Sequence, residues 1–261
     1  MKARPAAAIE VRGLRKQFGR HGVVALDEVS LSIRPGEFVS VLGPSGCGKS
    51  TLLRCIAGLE SPSAGAITVN NASVDGPPEG LGMVFQRDAL LDWRNVADNL
   101  MLPVDFRRGD RAAVRDRAAA LLALTGLQGF ENAYPAQLSG GMRQRVAICR
   151  ALLDDPVLLL MDEPFGALDA LTRDQMNIEL QKMWLAEHKT VLFVTHSISE
   201  AIFLGDRVVV FTPRPGRIAD VIVVELPRPR RLAVRASERF NGYASHIRTL
   251  FEGMGLLKED A

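Results

Sequence analysis

The sequence predicts an α/β fold with a parallel-sheet core, an antiparallel β subdomain near its N-terminus and an inserted α-helical subdomain. A glycine-rich turn at residues 43–51 stands between a β-branched run and a helical pattern, which is a strand–loop–helix order. Two further apolar runs, at residues 157–163 and 190–196, end in carboxylates and in a histidine. Continuous apolar runs of this length indicate central parallel strands covered on both faces.

Composition places the chain among ordinary globular proteins. It has 261 residues, of which 47% are hydrophobic and 24% charged, enough for a sizeable core in one or two domains. The formal net charge of +2 gives no reason to expect a nucleic-acid partner. One local basic run remains, for which a solvated face is favoured over a binding surface. It contains Arg228, Arg230, Arg231 and Arg235.

Cysteine usage and hydropathy indicate a cytoplasmic chain. Cys47, Cys55 and Cys149 are odd in number and lack metal-like spacing, which favours a reducing compartment. The apolar segment within residues 1–9 is too short for a signal peptide, and no run approaches the length of a membrane span. If the protein works at a membrane, we expect another chain to hold it there.

The N-terminal segments predict an antiparallel sheet. Residues 9–14 and 24–33 alternate apolar with polar side chains, as half-buried antiparallel strands do. The turn at residues 34–36 leads from them into the strand that precedes the glycine-rich loop. Phe18 lies on the polar stretch between the two strands, where it could stack on a nucleotide base or pack as an ordinary phenylalanine.

The loop at residues 43–51 reads GPSGCGKST and matches the phosphate-binding pattern GxxxxGK[ST] in full. Its glycines let backbone N–H groups converge on an anion, Lys49 reaches the terminal phosphates, and the Ser50 hydroxyl can ligate Mg²⁺ at the start of the following helix. The predicted nucleotide-binding residues are Gly43, Pro44, Ser45, Gly46, Cys47, Gly48, Lys49, Ser50 and Thr51.

Cys47 stands inside this loop, close to Lys49 and to a helix N-terminus. Both neighbours favour a thiolate, so we expect a reactive thiol that bound nucleotide would protect. The alternative is an inert side chain that points into the domain. Cys55 and Cys149 lie on apolar helical stretches and are expected to react slowly.

Residues 66–69 and 82–85 predict further strands, the second of which ends at Gln86. Beyond it the pattern becomes helical, with an alanine-rich amphipathic helix predicted at residues 111–127. We expect a helical subdomain inserted at about residues 87–155. Trp93 within it is either a core anchor or part of a surface for a partner.

The helical insert contains a second phosphate-binding candidate. The stretch LSGGMRQR at residues 138–145 precedes a helical pattern at 146–153. Ser139, Gly140 and Gly141 therefore open a helix, and a helix N-terminus favours anions. Two such ends in one chain require an explanation that the residues alone do not give.

Two predicted parallel strands end in candidate catalytic residues. Asp162 and Glu163 close the first strand, and because neighbouring strand residues point in opposite directions, they should have separate roles. Asp162 suits the Mg²⁺ shell, and Glu163 suits a general base that polarises the attacking water. His196 closes the second strand and is expected to sense the γ-phosphate, although a lone histidine is often structural. Segments at 207–211, 217–226 and 237–252 complete the domain.

Taken together, these motifs resemble the nucleotide-binding subunits of ABC transporters over essentially the whole chain. The matching motifs are the Walker A motif at 43–51, the Q-loop residue Gln86, the signature at 138–141, the Walker B motif at 157–163, the D-loop at 166–169 and the switch histidine His196. The resemblance implies one ABC ATPase domain over residues 1–261, with a P-loop NTPase (RecA-like) core.

The resemblance also implies roles for individual residues. Two copies would pack head to tail, so that Ser139, Gly140 and Gly141 of one cap the ATP held by the loop of the other, which explains the second anion site. Phe18 would stack on adenine and Asp169 would belong to the D-loop at the nucleotide. Gln86 would contact Mg²⁺ and register the γ-phosphate together with His196.

Within the family, residues 83–93, the form LSGGMRQR with Met142, and the segment 214–218 are similar to nitrate, sulfonate and taurine importer ATPases. That similarity implies uptake of a small anionic solute through separate permease subunits, an extracytoplasmic solute-binding protein, and a peripheral position on the cytoplasmic face of the inner membrane. Asp92 departs from the pattern, which has proline before the tryptophan, in the region that meets the membrane partner's coupling helix. No nucleic-acid partner is expected.

Two other functions fit part of the sequence. A soluble ABC-type ATPase acting on nucleic acid or ribosomes shares these motifs, but tandem cassettes or a coiled-coil insertion would favour it, and the chain has neither. A nucleotide-binding switch without turnover would also use the loop. A phosphate-release assay separates that switch from an ATPase.

Overall fold

The computed structural model describes residues 5–19, 22–166 and 168–257. Four strands form an antiparallel sheet in the order β2-β1-β4-β5. Their bounds are Ile9–Gln17 for β1, Val24–Ile33 for β2, Ala64–Val69 for β4 and Ala72–Ser73 for β5. The predicted N-terminal antiparallel subdomain is therefore present, although the short β5 was not foreseen.

A six-stranded sheet in the order β10-β9-β3-β8-β7-β6 forms the core. Its strands are parallel except β10, which pairs antiparallel with β9 at the edge. Their bounds are Phe38–Leu42 for β3, Leu81–Val84 for β6, Leu158–Asp162 for β7, Thr190–Thr195 for β8, Arg207–Phe211 for β9 and Ile218–Val223 for β10. The candidate catalytic residues lie at the ends of β7 and β8, which are neighbouring strands of this sheet, as the sequence predicts.

Three helices, α2 at Val96–Phe106, α3 at Arg115–Leu124 and α4 at Gly140–Leu152, follow β6 and precede β7. The single helix expected over 111–127 is wrong: residues Arg111–Val114 form a 3-10 turn, and α3 then ends at Leu124. The Asp110 carboxylate accepts from the Ala112 N–H and starts the tighter turn, while Gly126 leaves the helix with a φ of +66°. That residues 87–155 form a subdomain of their own stays a prediction.

The remaining helices are α1 at Lys49–Ile56, α5 at Ala170–Glu187, α6 at Ile198–Leu204 and α7 at Glu238–Gly253. Helices α5 and α6 were not predicted. Helix α5 buries the polar side chains Asn177, Glu179 and Gln181, which obscures its apolar periodicity. No helix among the described residues is both long enough and apolar enough to cross a bilayer.

Two separate hydrophobic cores lie on opposite faces of the parallel sheet. Along β8, Val191 and Phe193 point into one core, and Leu192 and Val194 point into the other. The first core packs against α2 to α7, including the helical insert. The second packs against α1 and the antiparallel sheet. Alternation of side chains along buried strands produces this separation.

The basic run is largely internal, so its interpretation as a solvated face is wrong. Arg230 is 3% exposed, and its guanidinium donates to the carbonyls of Ile202, Phe203 and Gly205 at the end of α6. Arg228 bonds the Asp206 carboxylate and stacks 4.3 Å from the Trp184 ring. Arg235 bonds Asp174. Of the four arginines, Arg231 remains exposed, so the run offers no patch for nucleic acid.

Candidate active site

The glycine-rich loop follows directly from β3 and leads into α1 at Lys49. Gly46 and Gly48 adopt φ values of +75° and +108°, a region that side chains disfavour. A Cβ on Gly48 would also lie 2.6 Å from the Ala25 carbonyl oxygen of β2. Glycine at this position therefore permits both the backbone turn and the close packing of the loop on the antiparallel sheet.

Lys49 is buried and lies inside the curve of the loop. Its Nζ donates to the carbonyl oxygens of Gly43 at 2.8 Å and Pro44 at 3.0 Å. The same nitrogen lies 3.9 Å from the Glu163 carboxylate. The loop's own carbonyls thus hold the ammonium group in position to meet an anion in the loop.

The position of the Cys47 side chain contradicts one prediction made from the sequence. This side chain is 1% exposed and lies in the second core, among residues that include Phe211. Burial raises the pKa of the Cys47 thiol, and the opposing effect of Lys49 is smaller. The expected reactive thiolate is therefore wrong, and Cys47 can serve the loop only through its backbone. Burial also raises the pKa of Cys55 to about 11 and that of Cys149 to about 12.

Asp162 and Ser50 form the candidate Mg²⁺ site. The Ser50 hydroxyl donates to the Asp162 carboxylate at 2.9 Å, joining the end of β7 to the start of α1. Burial raises the pKa of Asp162, and the Ser50 hydrogen bond opposes that shift. A hydroxyl and a carboxylate are hard oxygen donors that fit Mg²⁺, which usually takes its other ligands from water and phosphate. Among the described residues, no cluster of three or more histidine, cysteine or acidic side chains could hold a metal.

Glu163 and His196 are in direct contact beside this pair. The Glu163 carboxylate lies 3.0 Å from His196 Nδ1. Strand β7 ends at Asp162, and Glu163 takes a φ of +46°, so the alternation expected along a strand does not continue to Glu163. Both carboxylates consequently reach the lysine and serine of the loop, instead of facing opposite sides of the sheet. His196 is half exposed and follows β8 directly.

A cavity of about 330 Å³ lies over the loop and is lined by half of the candidate residues. Phe18 stands at its rim, 42% exposed, with Lys16 Nζ 4.9 Å from the ring centroid. A partly exposed ring at a cavity can stack on a planar ligand, whereas a packed core ring cannot. The lining residues are Phe18, Val23, Ala25, Ser45, Gly46, Gly48, Lys49, Ser50, Thr51, Gln86, Glu163 and Arg214.

Arg214 lines the cavity and was not predicted from the sequence as a site residue. The segment that contains it was used only as a mark of subfamily. An arginine between two prolines, followed by a glycine, was the available signal. Because Arg214 follows β9, which pairs with β3, the fold brings a distant part of the chain to the loop.

The signature residues lie elsewhere in the chain. Ser139 caps α4 by accepting from the Met142 N–H at 3.2 Å, and Gly140 and Gly141 begin the helix. Asp169 caps α5 by accepting from the Thr172 N–H, and hydrogen bonds from the Thr172 side chain and then from its backbone lower the pKa of the Asp169 carboxyl. Neither the signature residues nor Asp169 line the cavity over the loop. Of the D-loop residues, Ala167 lies outside the described part of the chain.

Trp93 is 74% exposed, so its alternative role as a core anchor is wrong. Phe106, at the end of α2, is 82% exposed and borders an apolar groove of about 430 Å³. The groove is lined by Leu81, Gly82, Met83, Phe85, Ala89, Leu91, Leu102, Pro103, Phe106, Arg150, Ala151 and Asp154. Large exposed apolar side chains are typical of a protein interface, and of these two Phe106 lines the groove.

A phosphate loop on a parallel sheet, with a carboxylate and a histidine at neighbouring strand ends, defines a P-loop nucleotide hydrolase. The family model described as ABC transporter matches residues 26–166. The chain belongs to the ABC transporter family as an ATPase that uses ATP. The predicted fold class, with its P-loop core, is confirmed.

Known proteins resemble the chain over most of its length. A taurine import ATP-binding protein of Rhizobium johnstonii is 47% identical over 252 residues, 94% of this chain and 95% of that protein. An uncharacterized ABC transporter ATP-binding protein of Methanocaldococcus jannaschii is 48% identical over 224 residues, 85% of this chain and 84% of that one. The dimeric ATP-binding cassette solved with ADP and Pi superposes with a TM-score of 0.75 at 34% identity, covering 84% of this chain and all of that chain.

Proposed function

We propose that the chain is the ATP-hydrolysing subunit of an importer for a small anionic solute of the taurine, sulfonate or nitrate type. The observation that carries the proposal is the 47% identity to a taurine import ATP-binding protein over 94% of the chain. The site described above supplies the chemistry that such a subunit needs. The internal position of the basic run removes the feature that could have favoured a nucleic-acid function.

The phosphate loop binds the nucleotide. Backbone N–H groups of the loop and the N-terminus of α1 would face the phosphates, next to the Lys49 side chain. Phe18 stacks on the adenine at the other end of the cavity. Ser50, Asp162 and Gln86 would hold Mg²⁺, which neutralises developing charge on the phosphates when it is bound.

Glu163 acts as the general base. Its carboxylate lies beside Lys49 and can accept a proton from a water that attacks the γ-phosphate. The contact with His196 Nδ1 fixes the carboxylate, and the exposed side of the imidazole is free to report the γ-phosphate. Gln86 follows the end of β6 and lines the same cavity, where it detects the γ-phosphate together with His196.

A second copy of the chain completes the site. Ser139, Gly140 and Gly141 form a helix N-terminus that does not line the cavity of its own chain. Two copies packed head to tail would place this end on the ATP of the partner, near Asp169. The dimeric cassette with which the chain superposes supports this assembly.

The apolar groove is the proposed docking site for the permease. Trp93 and Phe106 are exposed on the helical insert, and Asp92 precedes the tryptophan. A short helix of a membrane subunit would bury these aromatic rings. The chain would then lie on the cytoplasmic face of the inner membrane, and a solute-binding protein would deliver the solute from the other side.

Uptake in the native host tests the proposal. We expect deletion of the gene to abolish uptake of labelled taurine or of a related sulfonate or nitrate, and the parent chain to restore it. Glu163→Gln should not restore uptake, because loss of a positioned general base lowers hydrolysis about 10² to 10⁴-fold. Trp93→Ala should retain hydrolysis by the isolated subunit yet restore uptake poorly. Uptake of all three solute types that is unaffected by the deletion would contradict the proposed importer.

A further inference from the structure

Arg214 is a charged residue of the cavity to which neither the motifs nor the comparisons assign a role. Its Nε donates to the Gly46 carbonyl oxygen at 3.0 Å, in the middle of the phosphate loop. Its Nη2 lies 3.1 Å from the position that a Cβ on Gly46 would occupy. The guanidinium therefore lies directly against the loop and forms part of the cavity wall.

No acidic side chain in the described part of the chain neutralises the charge of Arg214, because no carboxylate there lies within ion-pair distance of its guanidinium. Lys49, the other cation of the cavity, already has Glu163 at 3.9 Å. Arg217 in the same segment pairs with Asp27. An unpaired arginine beside an anion-binding loop is suited to charge-assisted hydrogen bonds with phosphate.

The segment that carries Arg214 is firmly held. Gly216 donates to the Ala25 carbonyl and accepts from the Asp27 N–H, so it is joined to β2. A Cβ on Gly216 would lie 2.1 Å from the Cys47 carbonyl oxygen, which shows how closely the segment packs on the loop. The Thr212 hydroxyl bonds the Pro215 carbonyl and the Arg217 N–H and closes the turn. The backbone at Arg214 is thus placed by both the loop and the antiparallel sheet.

We propose that Arg214 is a nucleotide-contacting residue whose Nη groups donate to the phosphate chain of the bound nucleotide while Nε remains on Gly46. This inference rests on the nucleotide site proposed above and adds a second protein cation to it. Because the cation comes from the segment after β9, the loop and the C-terminal part of the core would hold the phosphates jointly.

Titration of the full chain with fluorescent ADP and ATP analogues in the presence of Mg²⁺ tests the proposal. We expect Arg214→Ala to raise the Kd about 10- to 150-fold, the range for loss of a hydrogen bond to a charged group. Arg214→Lys should recover only part of the affinity, because it keeps the charge but has one ammonium group in place of the Nε and Nη donors. The matched control is Arg248→Ala, which removes an exposed arginine of α7 and should leave the Kd unchanged.

Competition by pyrophosphate identifies the part of the nucleotide that is touched. Its inhibition constant should rise by the same factor as the nucleotide Kd in Arg214→Ala. An unchanged Kd, equal losses in the alanine and lysine variants, equal loss in the Arg248 control, or unchanged pyrophosphate competition would each overturn the proposal. Saturable nucleotide binding by the parent chain tests the proposed nucleotide site itself. The ratio between the Kd of Arg214→Ala and the Kd of the parent tests the role of Arg214, so the two failures can be told apart.

Discussion

At the scale of single residues, burial decides the acidity of the three cysteines. Cys47, Cys55 and Cys149 are all buried, and in each case desolvation is the largest influence on the pKa and raises it. A thiolate is the reactive form of cysteine, so a raised pKa and a buried sulfur both slow alkylation. Proximity of Cys47 to Lys49 does not compensate, because the sulfur points away from the cavity into the core.

We therefore expect the native protein to resist maleimide at neutral pH at all three cysteines, with or without nucleotide. Denaturant should expose all of them. Peptide mass mapping after a short labelling pulse measures the modified fraction at each position. Rapid labelling of Cys47 in the native protein, blocked by Mg-ATP, would contradict the buried placement and restore the interpretation made from sequence.

Glu163 shows why part of the site could not be read from the pattern of residues. The motif predicted that Asp162 and Glu163 lie at a strand end, and the structure places them there. The two carboxylates share an orientation because Glu163 has a left-handed φ. That backbone conformation cannot be predicted from the presence of a glutamate. The proposed roles of both carboxylates nevertheless fit the geometry, since each reaches a different member of the loop.

At the scale of elements, the end of α6 shows how a buried cation can replace a capping motif. The last carbonyls of a helix have no partner within the helix. Arg230 donates to Ile202 and Phe203 at this end and to Gly205 just beyond it. The helix dipole also favours a positive charge there. Burial lowers the pKa of Arg230 to about 10, yet the group stays charged at neutral pH.

Arg230→Met should lower the free energy of unfolding by about 2 to 4 kcal/mol, because several buried carbonyls lose their donor. For a chain of this size, that loss corresponds to a fall in melting temperature of about 4 to 15 °C. The neighbouring exposed Arg231→Met is the matched control and should change stability by less than about 0.5 kcal/mol. Thermal denaturation followed by circular dichroism measures both, and equal effects of the two substitutions would show that Arg230 is not the anchor.

Elements with regular apolar patterns were predictable, and those stabilised by distant contacts were not. Strands β2 and β8 have the predicted bounds, and the central strand β7 is one residue shorter than predicted at each end. Helix α5 was missed because buried polar groups such as Gln181, which bonds the Arg230 backbone, interrupt its pattern. The two-residue strand β5 exists only by pairing with β4, so no local signal marks it.

At the scale of the whole molecule, the position of the signature predicts a site shared between two copies. We expect Ser139→Arg to leave nucleotide binding by the isolated chain intact while it abolishes ATP-dependent dimerisation and turnover. The bulky, charged side chain would stand where the partner's nucleotide is proposed to lie. Size-exclusion chromatography and phosphate release measure the two effects.

Ser139→Ala separates this effect from loss of the cap on α4. Removing the hydroxyl costs about 1 kcal/mol of helix stability and adds no bulk. It should therefore destabilise the fold slightly and permit dimerisation. If Ser139→Arg instead abolishes nucleotide binding by the monomer, the two phosphate-binding ends belong to one chain.

The parallel sheet has a consequence for how such a protein can diversify. One face supports the antiparallel sheet with Phe18 and packs against the underside of the phosphate loop, and the other supports the helical insert with Trp93. Substitutions in the two cores do not touch one another, so their effects on folding should be nearly independent. A lineage can therefore remodel the surface proposed to meet a membrane subunit without altering the nucleotide site on the other face of the sheet.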